Sequence, residues 1–585
     1  MGQLVDVEVA KPSVDVTMSL RGGVEDFAIG EKKWFKGQPV FFNHPMVPRD
    51  RIGRLYLAPF CYDGKHPANA VVATAHRFAR EMPVPNPTVA RNFTIFAINC
   101  IHSLFTPASP NNLPTFGEWL DGSNYSGGRK EYLARLHKEL ITINNNTTKN
   151  DSFIKAEIYK THTKLPRAVN SYSDESKTIL GGLFHCVDKA TFKSRFFVKG
   201  SNPSTWPNRC AQLFGDAAVI STDFTSFEAH HIGYLAEVVY YWFCYMTSEL
   251  GLSDDILSLV KRLMLGRNLI KFPGVNVECN QRLMSGALWT SSANGVLNLL
   301  IHLYLAAHAV HGDGDLKLMA EWATQNAMGL VEGDDGLFMD YGQSDETAAA
   351  LGCILKVERH ERFDGAGFCG IICDRTNLQV VKDPIKFLRS FFALPARYRL
   401  AHPRVHDQLL RAKAMSYYYS FRNAPVIGPV CKAILDATSK VTARTDVLDR
   451  WKVSNLEEAV GSHLWEKEPE VELSSRLLVE RIFGLDVDMQ IALELQARVD
   501  TRSMDLSAFS TGPDADFVRA YVMPEIAWSG HDMRPSPIAT AIFEECSGRS
   551  RDERRDIANT PPAQLTKEFG RIDRYYVPAK GYRPE

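Results

Sequence analysis

Two short apolar runs meet at a polar turn, Gly333-Asp334-Asp335-Gly336, between Met328 and Met339. Apolar runs of this length around a glycine-flanked turn are typical of two strands in a hairpin. Such a hairpin would place two neighbouring carboxylates at its tip, where they repel each other unless a cation lies between them. Oxygen ligands suit a hard ion such as magnesium or manganese. Asp-Asp-Gly is also ordinary turn chemistry, so the tripeptide alone leaves both interpretations open.

A buried strand followed by a long helix is predicted from Ala217 to about Glu249. The strand ends at Asp223, and the carboxyl end of a strand is where such folds usually bind ligands and metals. A helix N-cap is the alternative role for Asp223. Glu228 follows in the predicted first turn of the helix, where an acid also suits the helix dipole.

A mostly apolar helix is predicted to run from a loop at Ser285 and Gly286 to about Val310. Thr290 and Asn294 are four positions apart, so they share one face of this helix. Polar side chains on an apolar helix need hydrogen-bond partners, which a ligand or the protein core could supply. Both interpretations stay open for this pair.

A basic segment from Ile154 to Val169 alternates apolar and charged positions, which predicts strands with one cationic face. Such a face suits a triphosphate or an RNA backbone. Lysines that keep an exposed strand edge solvated are the alternative. The basic residues are Lys155, Lys160, Lys164 and Arg167.

Local patterns predict several further elements. The predicted helices are Ala68 to Arg80, Lys130 to Thr142, Asp345 to Leu351 with Ser344 as its cap, and Ser474 to Phe483. The other predicted elements are a strand from Gly352 to Glu358 that carries Lys356 and a hairpin edge from Gly367 to Cys373. Helical patterns dominate from about residue 440 onward.

Composition narrows the class of protein. The 585 residues are 45% hydrophobic and carry a net charge of -1, so a nucleic-acid partner would have to bind in a local basic groove. The 11 cysteines are scattered without the spacing of a zinc site, which favours reduced thiols and an intracellular protein. The N-terminus has no signal-peptide core, and the run from Val296 to Val310 is too short and too polar to span a membrane.

The order of these motifs resembles the palm of the RNA-dependent RNA polymerases of positive-strand RNA viruses, roughly over residues 150 to 390. By this resemblance, Asp223 and Glu228 belong to motif A, and Gly333, Asp334 and Asp335 to motif C. The remaining assignments are motif B for Ser285, Gly286, Thr290 and Asn294, motif D for Lys356, motif E for Phe368-Cys369-Gly370, and motif F for Lys155, Lys164 and Arg167. Three short motifs are more like those of tombusvirus and nodavirus enzymes than those of picornavirus enzymes. They are Lys-x-Pro-Arg, Phe-Cys-Gly and Asp-Pro-x-Lys.

The resemblance implies an α+β fold of the closed right-hand type, with fingers, palm and thumb. An antiparallel palm sheet flanked by helices and a mostly helical thumb are expected. The expected divisions are an N-terminal arm bridging fingers and thumb (1–50), fingers (51–215 with 236–282), palm (216–235 and 283–395), and thumb with the C-terminal region (396–585).

The resemblance also implies template-directed RNA synthesis, in which an RNA 3′-hydroxyl attacks the α-phosphate of a nucleoside triphosphate. Asp223 and Asp334 would bridge two magnesium or manganese ions, with Asp335 as a closer or outer ligand. Lys356 would protonate the leaving pyrophosphate. The residues expected to neutralise the triphosphate are Lys155, Lys160, Lys164 and Arg167.

Glu228 and Asn294 would sense the ribose 2′-hydroxyl, within a nucleotide-binding set that also includes Ser285, Gly286 and Thr290. The family normally carries Asp where Glu228 stands. Glu can accept the same hydrogen bond, but its carboxylate reaches about one methylene farther. This departure puts sugar discrimination by Glu228 in doubt.

The partners implied are a template RNA, the nascent RNA, nucleoside triphosphates and other viral replication proteins, with no transmembrane segment in this chain. The implied location is a replication complex in the host-cell cytoplasm, with the virion as a second location.

Three other classes compete with this interpretation. A non-catalytic RNA-binding scaffold on a polymerase fold would not need Asp223, Asp334 and Asp335 together. A reverse transcriptase usually carries an aromatic residue in place of Glu228 and Tyr-x-Asp-Asp in the hairpin. A metal-dependent nuclease shares the two-metal chemistry but has no need of Thr290 and Asn294.

Overall fold

A computed structural model gives the fold of the chain. It describes residues 13, 15–20, 64, 67–123, 125–139, 148–155, 165–391, 398, 401–445, 448, 453, 456–457, 459 and 462–499. The described residues combine long helices with two main sheets, so the predicted α+β class is confirmed.

Sixteen α-helices are numbered here in chain order, for the described residues only. They are α1 (Pro67–His76), α2 (Pro87–Leu104), α3 (Phe116–Gly122), α4 (Gly127–Glu139), α5 (Asp174–Thr191), α6 (Trp206–Phe214), α7 (Gly233–Met246), α8 (Asp254–Leu265), α9 (Thr290–His311), α10 (Leu316–Asn326), α11 (Asp345–Ala350), α12 (Pro384–Phe391), α13 (Pro403–Phe421), α14 (Ile427–Ala437), α15 (Leu473–Phe483) and α16 (Val487–Val499).

The strands of the same described residues are β1 (Thr17–Leu20), β2 (Lys149–Ile154), β3 (Ala168–Tyr172), β4 (Val219–Phe224), β5 (Arg267–Phe272), β6 (Val275–Asn280), β7 (Gly329–Glu332), β8 (Asp335–Met339), β9 (Leu355–His360), β10 (Ile372–Cys373) and β11 (Val380–Val381).

A four-stranded antiparallel sheet with the order β7-β8-β4-β9 carries the acidic motifs. Its inner positions are apolar and buried, as Ile220 on β4 and Phe338 on β8 illustrate. Helix α9 packs against β7 and β8 and contributes buried residues such as Leu300 to the same hydrophobic core. This sheet is therefore antiparallel and packed against a helix, as the resemblance implies for the segment around the hairpin.

A second sheet of five strands has the order β1-β6-β5-β2-β3. The pair β2 and β5 is parallel, and the other neighbours are antiparallel. The strands β2 and β3 lie on either side of the predicted basic segment in the chain. Strand β1 brings Thr17–Leu20 onto the edge of this sheet beside Val275–Asn280.

Helix α9 is almost entirely internal. Among the residues that the structure describes, it is the one helix with the length and apolar composition of a membrane span, and 78% of its most apolar stretch is buried inside the protein. Its residues from Val296 to Ala307 are all buried, including Asn298 and His302. Two polar positions of this run, Asn298 and His302, thus lie inside a protein core.

Several element predictions are confirmed near their predicted bounds. Ser344 caps α11 by accepting hydrogen bonds from the backbone of Glu346 and Thr347. Helix α15 covers the predicted Ser474 to Phe483, and the described part of the chain beyond residue 440 has helices but no strands. Helix α1 ends at His76, and residues 77–79 form a turn, so the prediction of helix to Arg80 is wrong at its end.

The prediction of a helix directly after Asp223 is wrong. Strand β4 continues to Phe224, a 3-10 turn covers Phe227–His230, and α7 begins only at Gly233. The backbone at Ser226 (φ 60°) and at Gly233 (φ 51°) is left-handed, and this conformation interrupts a right-handed helix. Asp223 therefore caps no helix, and the N-cap alternative for this residue is removed.

Candidate active site

The acidic hairpin has the predicted form. Glu332 pairs with Asp335, so the turn consists of Gly333 and Asp334. Gly333 has a φ of 60°, which suits the first central residue of a type II′ turn and favours glycine there. The sequence therefore places Asp334 at the tip and Asp335 at the first position of β8.

Strand β4 places Asp223 next to this hairpin. Thr222 pairs with Gly336 of β8, so the following residue of β4 lies beside the start of β8. Asp223 is the exposed position in a strand whose other residues are buried. Asp223 and Asp335 thus lie at the same end of two neighbouring central strands, with Asp334 in the adjoining turn.

Burial and mutual repulsion characterise these carboxylates. Burial raises the pKa of Asp334, and the charges of Glu228 and Asp223 raise it further, whereas Arg77 lowers it. Burial and the charges of Asp334 and Asp223 raise the pKa of Asp335 to about 6. The acidic groups therefore share one electrostatic environment that favours a bound cation.

Cys369 lies close to Asp335, and its thiol lowers the pKa of that carboxyl against the larger effect of burial. Cys369 and Gly370 form the tip of a tight turn in which the backbones of Phe368 and Ile371 exchange hydrogen bonds of 2.9 and 3.0 Å. Both tip residues have positive φ, 53° and 70°, as a type I′ turn requires. Burial and the nearby carboxylates raise the pKa of Cys369, so its thiol stays protonated and remains a donor.

Asn298 of α9 fixes the backbone of the acidic turn. Its Nδ2 donates to the carbonyl oxygens of Gly333, at 3.1 Å, and Asp335, at 3.0 Å. These two carbonyls flank Asp334, and Asn298 is fully buried. The conformation of the turn therefore depends on a helix side chain that the sequence analysis does not select as functional.

His302 extends the same polar line of α9 to the neighbouring strand. Its Nε2 lies 3.0 Å from the hydroxyl of Thr222, the residue before Asp223. Its ring stacks on Phe338 of β8 at a centroid distance of 4.4 Å. Asn294, Asn298 and His302 recur every four residues, so helical periodicity is the sequence signal that could have identified them.

Glu332, the residue before the acidic turn, has cationic and polar partners. The Nζ of Lys199 lies 2.6 Å from its carboxylate, and the hydroxyl of Ser291 donates to the same oxygen at 3.3 Å. The neighbouring backbone bonds of Val331 to residues 196–198 support β7 from outside the sheet. The acidic turn is thus supported from α9, from β4 and from the segment before α6.

The loop of Ser285 and Gly286 is bound to strand β3. The hydroxyl of Ser285 donates to the carbonyl of Ala168 and accepts from the amide of Asn170. The amide of Gly286 donates to the carbonyl of Asn170 at 2.7 Å. A Cβ at Gly286 would lie 2.8 Å from that carbonyl oxygen, so this close approach requires glycine.

Thr290 and Asn294 both have protein partners. The hydroxyl of Thr290 donates to the carbonyls of Met284 and Ala287 and thereby stabilises the loop before α9. The Oδ1 of Asn294 lies 2.9 Å from Nε2 of the buried His231. Burial lowers the pKa of His231 to about 3, so the neutral ring donates from Nε2. The amide nitrogen of Asn294 has no hydrogen-bond partner among the described residues.

Glu228 forms a two-point ion pair with Arg77. The distances are 2.7 Å from Nε to Oε1 and 3.1 Å from the terminal nitrogen to Oε2. Burial by itself lowers the pKa of Arg77, but the carboxylates of Glu228, Asp334 and Asp223 more than offset this, and the pKa is raised. Arg77 is therefore a cationic member of the site, and no local pattern in the sequence indicates it.

Lys356 pairs with Asp223 across β4 and β9, so the two side chains lie on the same face of the sheet. Lys356 is exposed on the edge strand and forms an ion pair with Glu358. The hydrogen bond and charge of Glu358, followed by the charge of Asp223, raise the pKa of Lys356. A role in proton transfer and a role as a solvated edge lysine both remain compatible with this position.

The basic segment is described in part. Lys155 and Arg167 follow β2 and precede β3, and the amide of Lys155 donates to the carbonyl of Arg167 at 2.8 Å. The next residue, Ala168, accepts the hydrogen bond from Ser285. The base of this segment is therefore joined to the loop of Ser285 and Gly286. Lys160 and Lys164 lie outside the described residues.

The donor set fits a hard cation. Asp223, Asp334 and Asp335 supply only carboxylate oxygens, and their mutual repulsion would be relieved by positive charge. Within the described parts of the chain, no three side chains of His, Cys, Asp or Glu are grouped closely enough to hold a metal ion as they stand. The three carboxylates thus share one environment without forming a closed ligand set.

No protein-family model and no curated protein sequence matches this chain. The functional interpretation therefore depends on the motifs of the chain and on the geometry of the described residues.

Proposed function

We propose that this protein is an RNA-directed RNA polymerase that copies a viral genome from nucleoside triphosphates. The observation that carries the proposal is the placement of Asp223 beside the Asp334–Asp335 turn on neighbouring antiparallel strands. The electrostatic coupling of these carboxylates supports a cation-dependent reaction at this end of the strands. Motif order along the chain supports polymerisation over other cation-dependent chemistry.

The proposed architecture is a closed right hand. The four-stranded sheet with α9 would be the palm, and the five-stranded sheet with its helices would belong to the fingers. The helices α13 to α16 would form the thumb. The contacts of Ser285 and Gly286 with β3 support this division, because they join a palm loop to the base of the basic segment.

The proposed reaction centre uses the acidic groups as cation ligands. Asp223 and Asp334 would hold two magnesium or manganese ions, with Asp335 as a closer or outer ligand. When bound, these ions would supply Lewis-acid activation of the primer hydroxyl and neutralise the charge that develops on the phosphates. Asn298 would orient the acidic turn by its hydrogen bonds to the carbonyls of Gly333 and Asp335.

The triphosphate would be bound from the basic side of the site. Lys155 and Arg167 lie at the base of the basic segment, and Lys160 and Lys164 belong to the same segment of the sequence. Arginine suits two-point contacts with phosphate, whereas lysine acts as a point charge. Lys356, beside Asp223, would donate a proton to the leaving pyrophosphate.

The ribose would be read by Glu228 and Asn294. A carboxylate can accept a hydrogen bond from the 2′-hydroxyl, and the amide nitrogen of Asn294, which has no partner among the described residues, would donate one to it. A deoxyribose would leave both groups without this partner, which is the physical basis of discrimination. Ser285, Gly286 and Thr290 would position the loop beneath the nucleotide.

The proposed partners are template RNA, nascent RNA, nucleoside triphosphates and other viral replication proteins in the host-cell cytoplasm. The proposed reaction also requires the two metal ions and an RNA 3′-hydroxyl as the attacking group.

The test is incorporation of labelled ribonucleotides on a short RNA template, with magnesium or manganese, for wild type and Asp334→Ala. We expect product from wild type and a loss of at least about a hundredfold for the variant, because a cation ligand is removed. RNA binding, measured by filter retention, should stay within about twofold, because Asp334 makes no contribution to binding the RNA backbone.

The matched control is Asp313→Ala, in an exposed loop after α9, where the side chain is 85% exposed. Synthesis by this control should equal that of wild type. Equal synthesis by Asp334→Ala and wild type would contradict the cation assignment. RNA binding without synthesis by wild type would favour the scaffold function instead.

A further inference from the structure

Arg77 occupies a fixed position at the edge of the proposed site. The backbone around it is bound by three separate segments of the chain. The hydroxyl of Ser226 donates to the carbonyl of His76 at 2.6 Å, and the guanidinium of Arg282 donates to the carbonyl of Phe78 at 2.8 Å. The amide of Ser13 donates to the carbonyl of Ala79 at 2.6 Å. This turn therefore cannot shift easily relative to the acidic motifs.

The pairing of Arg77 with Glu228 is suited to position a carboxylate. Two nitrogens on one edge of the guanidinium contact both oxygens of Glu228, which fixes the carboxylate in distance and in orientation. The side chains are 28% and 13% exposed, so solvent screens this pair less than a surface ion pair. Such a contact determines where the end of the longer Glu side chain lies.

The same arginine lies within the electrostatic environment of the acidic turn. The carboxylates of Asp334 and Asp223 act on its guanidinium, as Glu228 does. Arg77 thus offsets part of the negative charge in the proposed reaction centre. Removal of its charge would leave the carboxylates less compensated and would strengthen their attraction for a divalent cation.

Glu228 is the departure from the residue that the polymerase family normally carries, because its carboxylate reaches farther than that of Asp. We propose that Arg77 is a positioning residue for ribose selection, which holds the carboxylate of Glu228 where it can accept a hydrogen bond from the 2′-hydroxyl. This inference rests on the proposed function, since it assigns a partner to one of the two ribose-reading groups. His231 would position Asn294 in the same way, because its Nε2 lies 2.9 Å from Oδ1 of that residue.

The test measures nucleotide selection without turnover. The affinities of α,β-methylene ATP and its 2′-deoxy counterpart are compared by equilibrium binding to the full-length protein with a poly(U) template. The methylene group replaces the oxygen of the bond that transfer would break, so the readout does not depend on synthesis. Wild type should bind the ribonucleotide more tightly, by about tenfold or more.

Two substitutions separate orientation from charge. Arg77→Lys keeps the charge but offers one contact point, and Arg77→Gln removes the charge. Both should reduce the ribose preference by about tenfold, because neither fixes both oxygens of Glu228. Manganese affinity, measured by electron paramagnetic resonance, should rise several-fold in Arg77→Gln and stay near the wild-type value in Arg77→Lys.

Arg80→Gln is the matched control, because Arg80 lies three positions from Arg77 in the same part of the chain. It should change neither the ribose preference nor the manganese affinity. Thermal unfolding verifies that each variant is folded, and Arg77→Lys decides the question if Arg77→Gln unfolds.

A folded Arg77→Lys variant with the wild-type ribose preference would overturn the inference, as would a wild type without any preference. Tighter nucleotide binding in both variants would also overturn it, because Arg77 would then be an obstacle to the ribose. Absence of RNA synthesis by wild type would refute the proposed function. This outcome is distinguishable from failure of the inference, because the binding test does not require synthesis.

Discussion

His302 is an ionisable residue that the fold keeps neutral beside the acidic strands. Burial lowers its pKa from an ordinary 6.5 to about 3. The ring is fully buried and lies between Thr222 and Phe338. In the unfolded chain this ring binds a proton below a pKa of about 6.5, whereas in the folded protein it stays neutral. The free energy of unfolding therefore decreases as the pH falls below about 6.5.

His302→Phe tests this linkage. At pH 8 the variant should be less stable by about 1 kcal/mol, because the hydrogen bond to Thr222 is lost. Between pH 8 and pH 5 wild type should lose about 2 kcal/mol through this residue, and the variant should not. Urea unfolding at both pH values measures the difference.

His463→Phe, at a histidine that is 74% exposed, is the control for the change of residue type. It should leave the pH dependence of stability as in wild type. An equal loss of stability on acidification in wild type and in His302→Phe would show that His302 does not cause the pH dependence.

At the scale of residues, the sequence was sufficient for the acidic groups but not for their partners. Asp223, Asp334 and Asp335 lie at recognisable turns and strand ends, where local pattern is informative. Arg77 is 151 positions from Glu228, and a contact over that distance leaves no local pattern. Cys369 lies in a recognisable tripeptide, but its proximity to Asp335 depends on how two turns meet in the fold.

At the scale of elements, α9 explains how an apolar helix and a polar site coexist. One line of polar residues, spaced by four, contacts the strands that carry the acidic motifs. The other residues between Val296 and Ala307 are hydrophobic and buried in the core. The same spacing identifies Asn298 as the side chain on which the acidic turn depends.

Asn298→Leu should impair synthesis more than it impairs folding. Two donated hydrogen bonds are lost, which leaves the carbonyls of Gly333 and Asp335 without this partner at a cost of about 1–3 kcal/mol in stability. The turn would then shift, and a small displacement of Asp334 should lower the rate of incorporation by about tenfold to a hundredfold. Rate and urea stability are measured on the same preparation.

Asn326→Leu on α10 is the matched control, because the hydrogen bond of its side chain within the described residues is to the backbone of its own helix. Its rate should equal that of wild type. A wild-type rate for Asn298→Leu would show that the acidic turn does not need this contact.

Helices and strands were predicted correctly where local sequence determines the backbone conformation. The prediction was wrong where a contact with a distant segment determines it. The hairpin of β7 and β8 has a glycine at the position that its turn requires, so local chemistry specifies it. The spacing of apolar residues after Asp223 predicts a helix. The left-handed backbone at Ser226, which bonds to His76 in a distant part of the chain, prevents that helix from starting there. This tertiary contact is invisible to periodicity.

At the scale of the whole molecule, the described residues share one large hydrophobic core that extends from Val16 to Ala497, with a small satellite around Trp119. The α+β class was expected from the resemblance of the motifs to a polymerase palm, and the described residues confirm it. The order of strands within each sheet did not, because β4 pairs with β8 and β9 across long stretches of chain. The division into fingers, palm and thumb stays a prediction.

The proposed function requires that this molecule copies an RNA template. The most direct measurement uses a template RNA of defined sequence and four ribonucleoside triphosphates, with each nucleotide left out in turn. Products are resolved by length at single-nucleotide resolution. This readout depends on base pairing between template and incoming nucleotide, and therefore separates templated synthesis from untemplated addition.

We predict that each omission ends the product one position before the first template base that pairs with the missing nucleotide. The full-length product should require all four nucleotides and a divalent cation. Products whose length is independent of the omitted nucleotide would contradict the account, as would a wild-type protein that binds the template and extends nothing.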